Sequence, residues 1–452
     1  MPMSKSADLA VMEKPAAPAA PVVATSTLQW VILGLLALGA LVSFVDRTSI
    51  SAALTVPSFK AHFQLSDIDR GWVNSAFFWS YAVLQVPLGW ATDRYGVKRP
   101  YTVCFFVWCV ATALTGLTTT LSALIVMRLI VGAAEAIVVP ASWAWIRRNF
   151  REDQSGTAVG IYMLGTKVGP AIGAPVAAWL IVAFDWRAMF VLLGIVGLLW
   201  LIPWNLLVKN DLPKRVEPGR VEPGRVEPGR AEKAAAAPPM ASGKQVRVIL
   251  ASPMVWGSMV TNFCYNYFTF YCMTWMPSYL VEQRGLPLQQ MGLYSFFSFI
   301  GIAIVALAAG WVADRLIERG YDPILVRKVF TIAGFLFAST VVLGAFADTV
   351  NEALFWNVAS LSGLGLTTAN HLALCRLTLI PKSIVGLVTG FQQVATALAG
   401  IVAPILSGWL LQVSGSYNLP MQVIFVFLII GAFTTALVLR PQWAPRVVET
   451  EA

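Results

Sequence analysis

The feature that most constrains this chain is a series of apolar blocks, each about as long as a helix that crosses a bilayer. They lie near residues 28–54, 71–91, 101–119, 121–145, 156–182 and 187–208, and again near 249–281, 289–313, 327–346, 352–375, 384–411 and 421–439. A hydrocarbon core of roughly 30 Å takes about 20 helical residues, so the sequence predicts a span in each block. Lipid offers no water to unpaired backbone groups, which makes every span a helix. Composition agrees. Only 12% of the 452 residues are charged and 57% are hydrophobic, with a mean hydropathy of +0.70. A soluble domain carries about 25% charged residues. The expected fold class is an all-α membrane protein with twelve transmembrane helices in two six-helix bundles.

The first block follows a polar, Ala/Pro-rich tail over residues 1–27. No short hydrophobic core with a cleavage site precedes it, so it reads as a retained span and not a signal peptide. An even number of spans puts both termini on one side. If that side is the cytoplasm, only four of the 32 Lys and Arg fall in outer loops: Lys60, Arg70, Arg187 and Arg284. Arg47, Arg128 and Lys167 fall inside spans, and the other 25 face the cytoplasm. That asymmetry is what the positive-inside rule requires. It accounts for the net charge of +9 without a nucleic-acid partner. The expected location is a plasma membrane, such as a bacterial inner membrane, with both termini cytoplasmic and the chain a monomer in the bilayer.

The blocks divide at residues 209–247, giving bundles over 28–208 and 248–440 and a short tail over 441–452. The dividing segment is polar and Pro-rich, and carries RVEPG three times in tandem (Arg215–Gly219, Arg220–Gly224, Arg225–Gly229). Alternating Arg and Glu with Pro and Gly cannot build a core, so it reads as a disordered cytoplasmic linker. The halves echo each other. GWATDRYGVKR (Gly89–Arg99) follows the second block and GWVADRLIERG (Gly310–Gly320) follows the eighth. Repeated bundles with a site between them near the midplane are a common transporter design.

Gly89-x-x-x-Asp93-Arg94-x-Gly96-x-Lys98-Arg99 resembles the cytoplasmic loop signature of the major facilitator superfamily. The resemblance implies that Asp93, Arg94 and Arg99, with Asp314 and Arg315 in the second copy, are gating residues. A purely structural turn is the alternative. Phe-Val-Asp-Arg (44–47), Trp-Ser-Tyr-x-x-x-Gln (79–85), Arg128 with Glu135, and Asp-Trp-Arg (185–187) are similar to the anion:cation symporter branch. Its members carry organic acids such as aldonates and hexuronates, with phosphate and phthalate carriers among their relatives. The resemblance covers the membrane portion and omits the N-terminal tail and the RVEPG linker.

Of 23 acidic residues, only Asp46 and Glu135 lie well inside apolar blocks. A central ionisable residue costs several kcal/mol to insert, so each needs a partner or a task. Arg128 and Glu135 are two turns apart on one helical face, roughly 10 Å along the axis. Asp46 and Arg47 are adjacent and point in different directions. Burial favours the neutral form of a carboxylate and a nearby cation the charged form. The two together can bring titration near neutrality, as proton coupling needs. The resemblance assigns protonation to Asp46 and Glu135, and substrate binding and coupling to Arg47 and Arg128. Static ion pairing between helices is the structural alternative.

Arg47 is the first candidate for a substrate carboxylate, because its fork can bind one bidentately. Arg128 could do the same or hold Glu135. Lys167, where the branch is usually uncharged, fits either a second anionic group or a snorkelling or carboxylate-paired cation. Tyr81 and Gln85 share a face at i, i+4, and Thr166 adjoins Lys167. In the second half Asn262, Tyr265, Asn266 and Trp275, with Asn370, His371, Gln392 and Gln393, can bind hydroxyls or stitch helices. Tyr81, Asn370 and Gln393 are preferred. Phe44 stands where the family often has Tyr, which removes a hydroxyl.

The expected function is proton-coupled uptake of an organic anion, a sugar acid or other small carboxylate, by alternating access. The alternatives are an exporter or multidrug antiporter of the same fold, or a phthalate or aromatic-acid carrier. The three buried cations argue against a cavity built for cationic drugs. The sequence has no phosphate-cradling Gly-Lys-Ser/Thr loop, no catalytic cluster, and no zinc-ligand spacing among its five cysteines. An enzyme, an ATP-driven pump, a resident metal and a cofactor are therefore not expected.

Overall fold

The computed structural model describes residues 26–209, 247, 249–380 and 384–445. The expected tails lie almost entirely outside these residues, as does nearly all of the expected linker with its RVEPG repeats. The described residues form helices and no strand. The first half holds α1 (Thr27–Ala53), α2 (Pro57–Phe63), α3 (Asp67–Tyr95), α4 (Lys98–Thr115), α5 (Leu121–Glu135), α6 (Val138–Asn149), α7 (Glu152–Ala183), α8 (Trp186–Leu199) and α9 (Leu201–Leu207). The second half holds α10 (Pro253–Thr274), α11 (Leu288–Glu318), α12 (Pro323–Ala338), α13 (Val341–Phe346), α14 (Val350–Ala373), α15 (Val385–Ser414) and α16 (Asn418–Leu437).

Among the described residues, eight helical segments are long and apolar enough to cross a membrane. Three of the eight join neighbouring elements: α5 with α6, α8 with α9, and α12 with α13. The other four expected spans fall on α3, α4, α10 and α14. Large apolar side chains such as Val86, Leu206, Leu307 and Val413 stand outward on the helices. An aqueous protein would bury such surface, whereas lipid solvates it.

Local sequence explains where the helices break. Pro140 cannot donate to the carbonyl four residues back, and the helix is interrupted at Ala136 and Ile137, directly after Glu135. Ser66 caps α3 by accepting from the Asp69 amide, while Asp69 accepts from the Ser66 amide. This capping box starts α3 at Asp67, so Arg70, expected in an outer loop, is instead helical and buried. Gly96 and Gly320 close the two loop motifs with φ of 78° and 94°, a backbone region that penalises a Cβ.

Two pairs of helices join the halves: α3 packs on α15, and α7 on α11. The contact is tightest at the end remote from the start of α1. A Cβ on Gly71 of α3 would lie 2.7 Å from the Pro404 carbonyl oxygen. One on Gly408 of α15 would lie 2.6 Å from the Asp67 carbonyl oxygen. Only glycine permits backbones to approach this closely. Toward the opposite end, Gly160 of α7 and Gly390 of α15 face open space.

Candidate substrate and proton site

The site grows from the packing of α1 on α7. A Cβ on Gly165, Gly169 or Gly173 would strike Ala37, Phe44 or Thr48 of α1 respectively. This four-residue glycine stripe brings the two backbones together. Thr166, Lys167 and Pro170 line the interior instead, facing the same space as Phe44 and Arg47 of α1.

Arg47 reaches α5. Its Nε donates to Glu135 Oε2 at 2.8 Å, and Ser43 Oγ donates to the same oxygen at 3.0 Å. Glu135 has no exposed surface and Arg47 retains 9%. The guanidinium lies 4.6–4.9 Å from the ring centroids of Phe44, Phe77 and Tyr81. The pair uses Nε, so the two terminal nitrogens are not consumed by Glu135. Arg128, the alternative partner two turns away on Glu135's own helix, lies against Phe77 at 5.2 Å. The inter-helix pair occupies Glu135 instead.

Asp46 is 3% exposed and sits among Trp108 and Thr112 of α4, with Arg128 and Glu135 nearby. Among the described residues, Asp46 Oδ1, Glu135 Oε1 and Arg128 Nε have no hydrogen-bond partner. Leaving a buried polar atom unpaired costs about 1–3 kcal/mol. Two carboxylates and two guanidiniums therefore share one closed region with acceptor capacity unspent.

A cavity of about 200 Å³ opens beside Arg47. Six of the sequence-selected binding residues line it: Arg47, Tyr81, Gln85, Thr166, Lys167 and Gln393. Arg128 is not in its lining, nor are Asn370 and His371. Asn370 is fully buried and its amide donates to the Leu366 carbonyl at 3.0 Å. His371 stacks on Tyr265 at 4.8 Å and contacts Asn262 Oδ1 at 3.3 Å. It stands one layer behind the cavity, since Tyr265 itself lines the wall. Sequence reasoning passed over Thr269, Met273 and Thr396, which also line it. Their helices are apolar on most sides, so no periodicity marks the inward face.

The motif carboxylates each pair within their own half. Arg148 donates to Asp93 at 3.0 Å, and Arg327 to Asp314 at 3.1 Å. Arg94 lies against Trp90 and Tyr95, Arg315 lies against Trp311 and 3.7 Å from Glu318, and Arg99 is exposed.

At the remote end, a cluster unnoticed in the sequence crosses between the halves. Arg70 donates to Glu282 at 2.8 Å, to Asp67 at 2.8 Å and to Ser278 Oγ at 2.6 Å. Lys60 donates to Glu282 at 3.0 Å, and Tyr417 Oη to Glu282 at 2.7 Å. Burial pushes the Tyr417 phenol well above its ordinary pKa, so it remains a donor to Glu282 at physiological pH. Trp275 covers Arg70 at 4.9 Å and donates to the Pro404 carbonyl at 3.0 Å.

Several known proteins are similar to this chain. The D-galactonate transporter of Escherichia coli O6:H1 is 28% identical over 377 residues, 82% of this chain and 86% of that protein. A probable galactarate/D-glucarate transporter of E. coli K12 is 28% identical over 405 residues, 86% of this chain and 90% of its own. The hexuronate transporter of Bacillus subtilis is 27% identical over 389 residues, covering 84% and 87%. Among solved structures, a bacterial homologue of the human lysosomal transporter Spinster superposes with a TM-score of 0.73 at 17% identity. It covers 94% of this chain and 100% of its own. Residues 36–377 match the model of the Major Facilitator Superfamily, and this chain belongs to that family of membrane transporters.

Proposed function

We propose that this protein takes up a small organic anion, a sugar acid or another compact carboxylate, together with protons by alternating access. The observation that carries the reading is the Arg47–Glu135 pair. It joins a cavity-lining cation to a carboxylate with no exposed surface. Relatives named as carriers of galactonate, galactarate, glucarate and hexuronates support an anionic substrate. Arg47 offers its terminal nitrogens to the substrate carboxylate while Nε remains on Glu135. The substrate's charge competes with Glu135 for Arg47, and a proton on Glu135 or Asp46 relieves that competition. Unspent oxygens on both acids are the places for such protons. Arg128 acts from behind Phe77 as a coupling cation. Asn370 and His371 act through the neighbouring polar layer.

The reading takes twelve spans in two bundles joined by the RVEPG linker, in a plasma membrane, as a monomer. The Lys and Arg distribution puts the end where α1 starts in the cytoplasm. The Arg70–Glu282 cluster is then the outer gate, closed, and the Asp93 and Asp314 loops stand at the inner end. Replacing Glu282 with Gln removes the charge shared by Arg70 and Lys60. Arg70 is buried but the Glu282 side chain is 22% exposed, so the loss is about 1.5–3 kcal/mol, the scale of a hydrogen bond to a charged group, which is enough to shift a balance between two states. A single cysteine placed at Ser278 is expected to react with an externally added, membrane-impermeant maleimide much faster in the Glu282→Gln background. Unchanged labelling would show that the cluster does not hold the outer end closed.

The direct test is accumulation into proteoliposomes of radiolabelled D-galactonate, D-glucarate or benzene-1,3-dicarboxylate. With an acid exterior and alkaline interior, internal label is expected to rise above the external concentration and collapse on adding a protonophore. Equilibration without accumulation would indicate a uniporter, and accumulation only under the reversed gradient an exporter-type antiporter.

A further inference from the structure

The cavity has both polar and apolar lining, and most of the polar lining is already committed. Thr166, Thr269 and Thr396 donate to the backbone carbonyls of Met163, Tyr265 and Gln392. The Asn266 amide donates to Asn262 and Thr396, and the Tyr265 hydroxyl is shared with Thr368. Arg47 and the Tyr81 hydroxyl bond each other, and the uncommitted polar groups are Gln85, Lys167 and Gln393. Phe78, Phe270, Met273, Phe299 and Ile302 supply apolar lining to the same cavity. A polyhydroxylated acid would set its hydroxyls against rings and a thioether, losing hydrogen bonds it had in water.

Lys167 is half-buried in this lining and makes no ion pair with any described residue. Arg47 is balanced by Glu135, whereas no carboxylate among the described residues balances Lys167. An unbalanced ammonium in a membrane interior is costly, and a ligand anion is the available counter-charge. The cavity of about 200 Å³ is narrow enough to keep both cations within reach of one small molecule.

We infer that the ligand is a compact dianion with an apolar or aromatic body, one anionic group on Arg47 and the other on Lys167. The inference rests on the organic-anion reading above and narrows it. Lys167 is its specificity-determining residue. The phenyl rings hold the body through its faces and edges, and Gln85 and Gln393 hydrogen-bond the second oxygens of the anionic groups.

Four probes separate charge from body: benzene-1,3-dicarboxylate, benzoate, D-glucarate and D-gluconate, titrated calorimetrically against the purified full chain in detergent. Benzene-1,3-dicarboxylate is expected to bind tightest, about tenfold or more above benzoate, the scale of one charge-assisted hydrogen bond. Lys167→Gln should collapse that dianion-to-monoanion ratio, and Lys167→Arg should largely keep it, which separates lost charge from lost folding. A ratio that Lys167→Gln leaves unchanged overturns the second anion subsite. Glucarate binding tighter than benzene-1,3-dicarboxylate overturns the apolar body. Absence of binding by all four would count instead against the organic-anion reading itself.

Discussion

Neutralising either buried acid is expected to abolish proton-driven accumulation, with a loss of at least a hundredfold in the steady-state concentration ratio at a large imposed gradient. A coupled carrier must load a proton on one side and release it on the other, and an amide can do neither. Asp46→Asn and Glu135→Gln keep the shape of a protonated carboxyl, so they are the informative substitutions. Alanine would leave buried guanidinium groups without a partner, a change that costs about 3–5 kcal/mol and threatens folding. The two variants should differ in binding. In Glu135→Gln, Arg47 loses the charge at 2.8 Å while Ser43 can still bond the amide. Arg47 is then free for the ligand, so Glu135→Gln should bind anions as tightly as the parent or tighter and exchange them slowly. Asp46 does not line the cavity, and Asp46→Asn should leave affinity near the parent value. Uptake, binding and membrane abundance measured together check this. If both variants accumulate substrate against its gradient with protons as the only drive, the acids are structural and coupling lies elsewhere, with His371 the next group to test.

Arg47→Lys is expected to weaken anion binding by roughly tenfold to a hundredfold, the range for losing one to two charge-assisted hydrogen bonds. Charge is conserved, so the effect isolates geometry. An ammonium cannot hold Glu135 through one nitrogen while presenting two others, because its donors radiate from a single atom. It also forfeits the flat contact with Phe44, Phe77 and Tyr81, where a planar guanidinium stacks well. Calorimetric titration with benzene-1,3-dicarboxylate and D-glucarate is the check. Parent-like affinity for both would remove Arg47 from the role of carboxylate clamp.

The helical membrane architecture was legible because lipid imposes one length and one conformation on every span. The acids were legible for a related reason. A carboxylate deep in an apolar block is expensive enough that Asp46 and Glu135 stood out without any contact information. Pairing was less legible. The two-turn spacing made Arg128 a plausible partner for Glu135, yet Arg47 on α1 holds it, a contact between residues 88 apart in sequence. The cluster around Arg70 and Glu282 was invisible for the same reason. Arg70 lies beside Asp67 and Asp69 at the edge of a block and reads as loop, and Glu282, its partner across the halves, is 212 residues away. Helix rotation was the third gap. Asn370 and His371 sit on α14, but Asn370 is buried against its own helix and His371 packs on Asn262 and Tyr265 of α10, and only an inward-facing register could have told them from Gln393.

Proton movement measured without any imposed pH gradient tests the coupling most directly. Proteoliposomes holding a trapped pH indicator receive external D-glucarate or benzene-1,3-dicarboxylate at equal internal and external pH, beside protein-free vesicles and the Asp46→Asn variant. Inward flow of the anion down its own gradient should acidify the lumen only where the parent protein is present. Anion entry with no change in lumenal pH, or with alkalinisation, would contradict proton-coupled uptake.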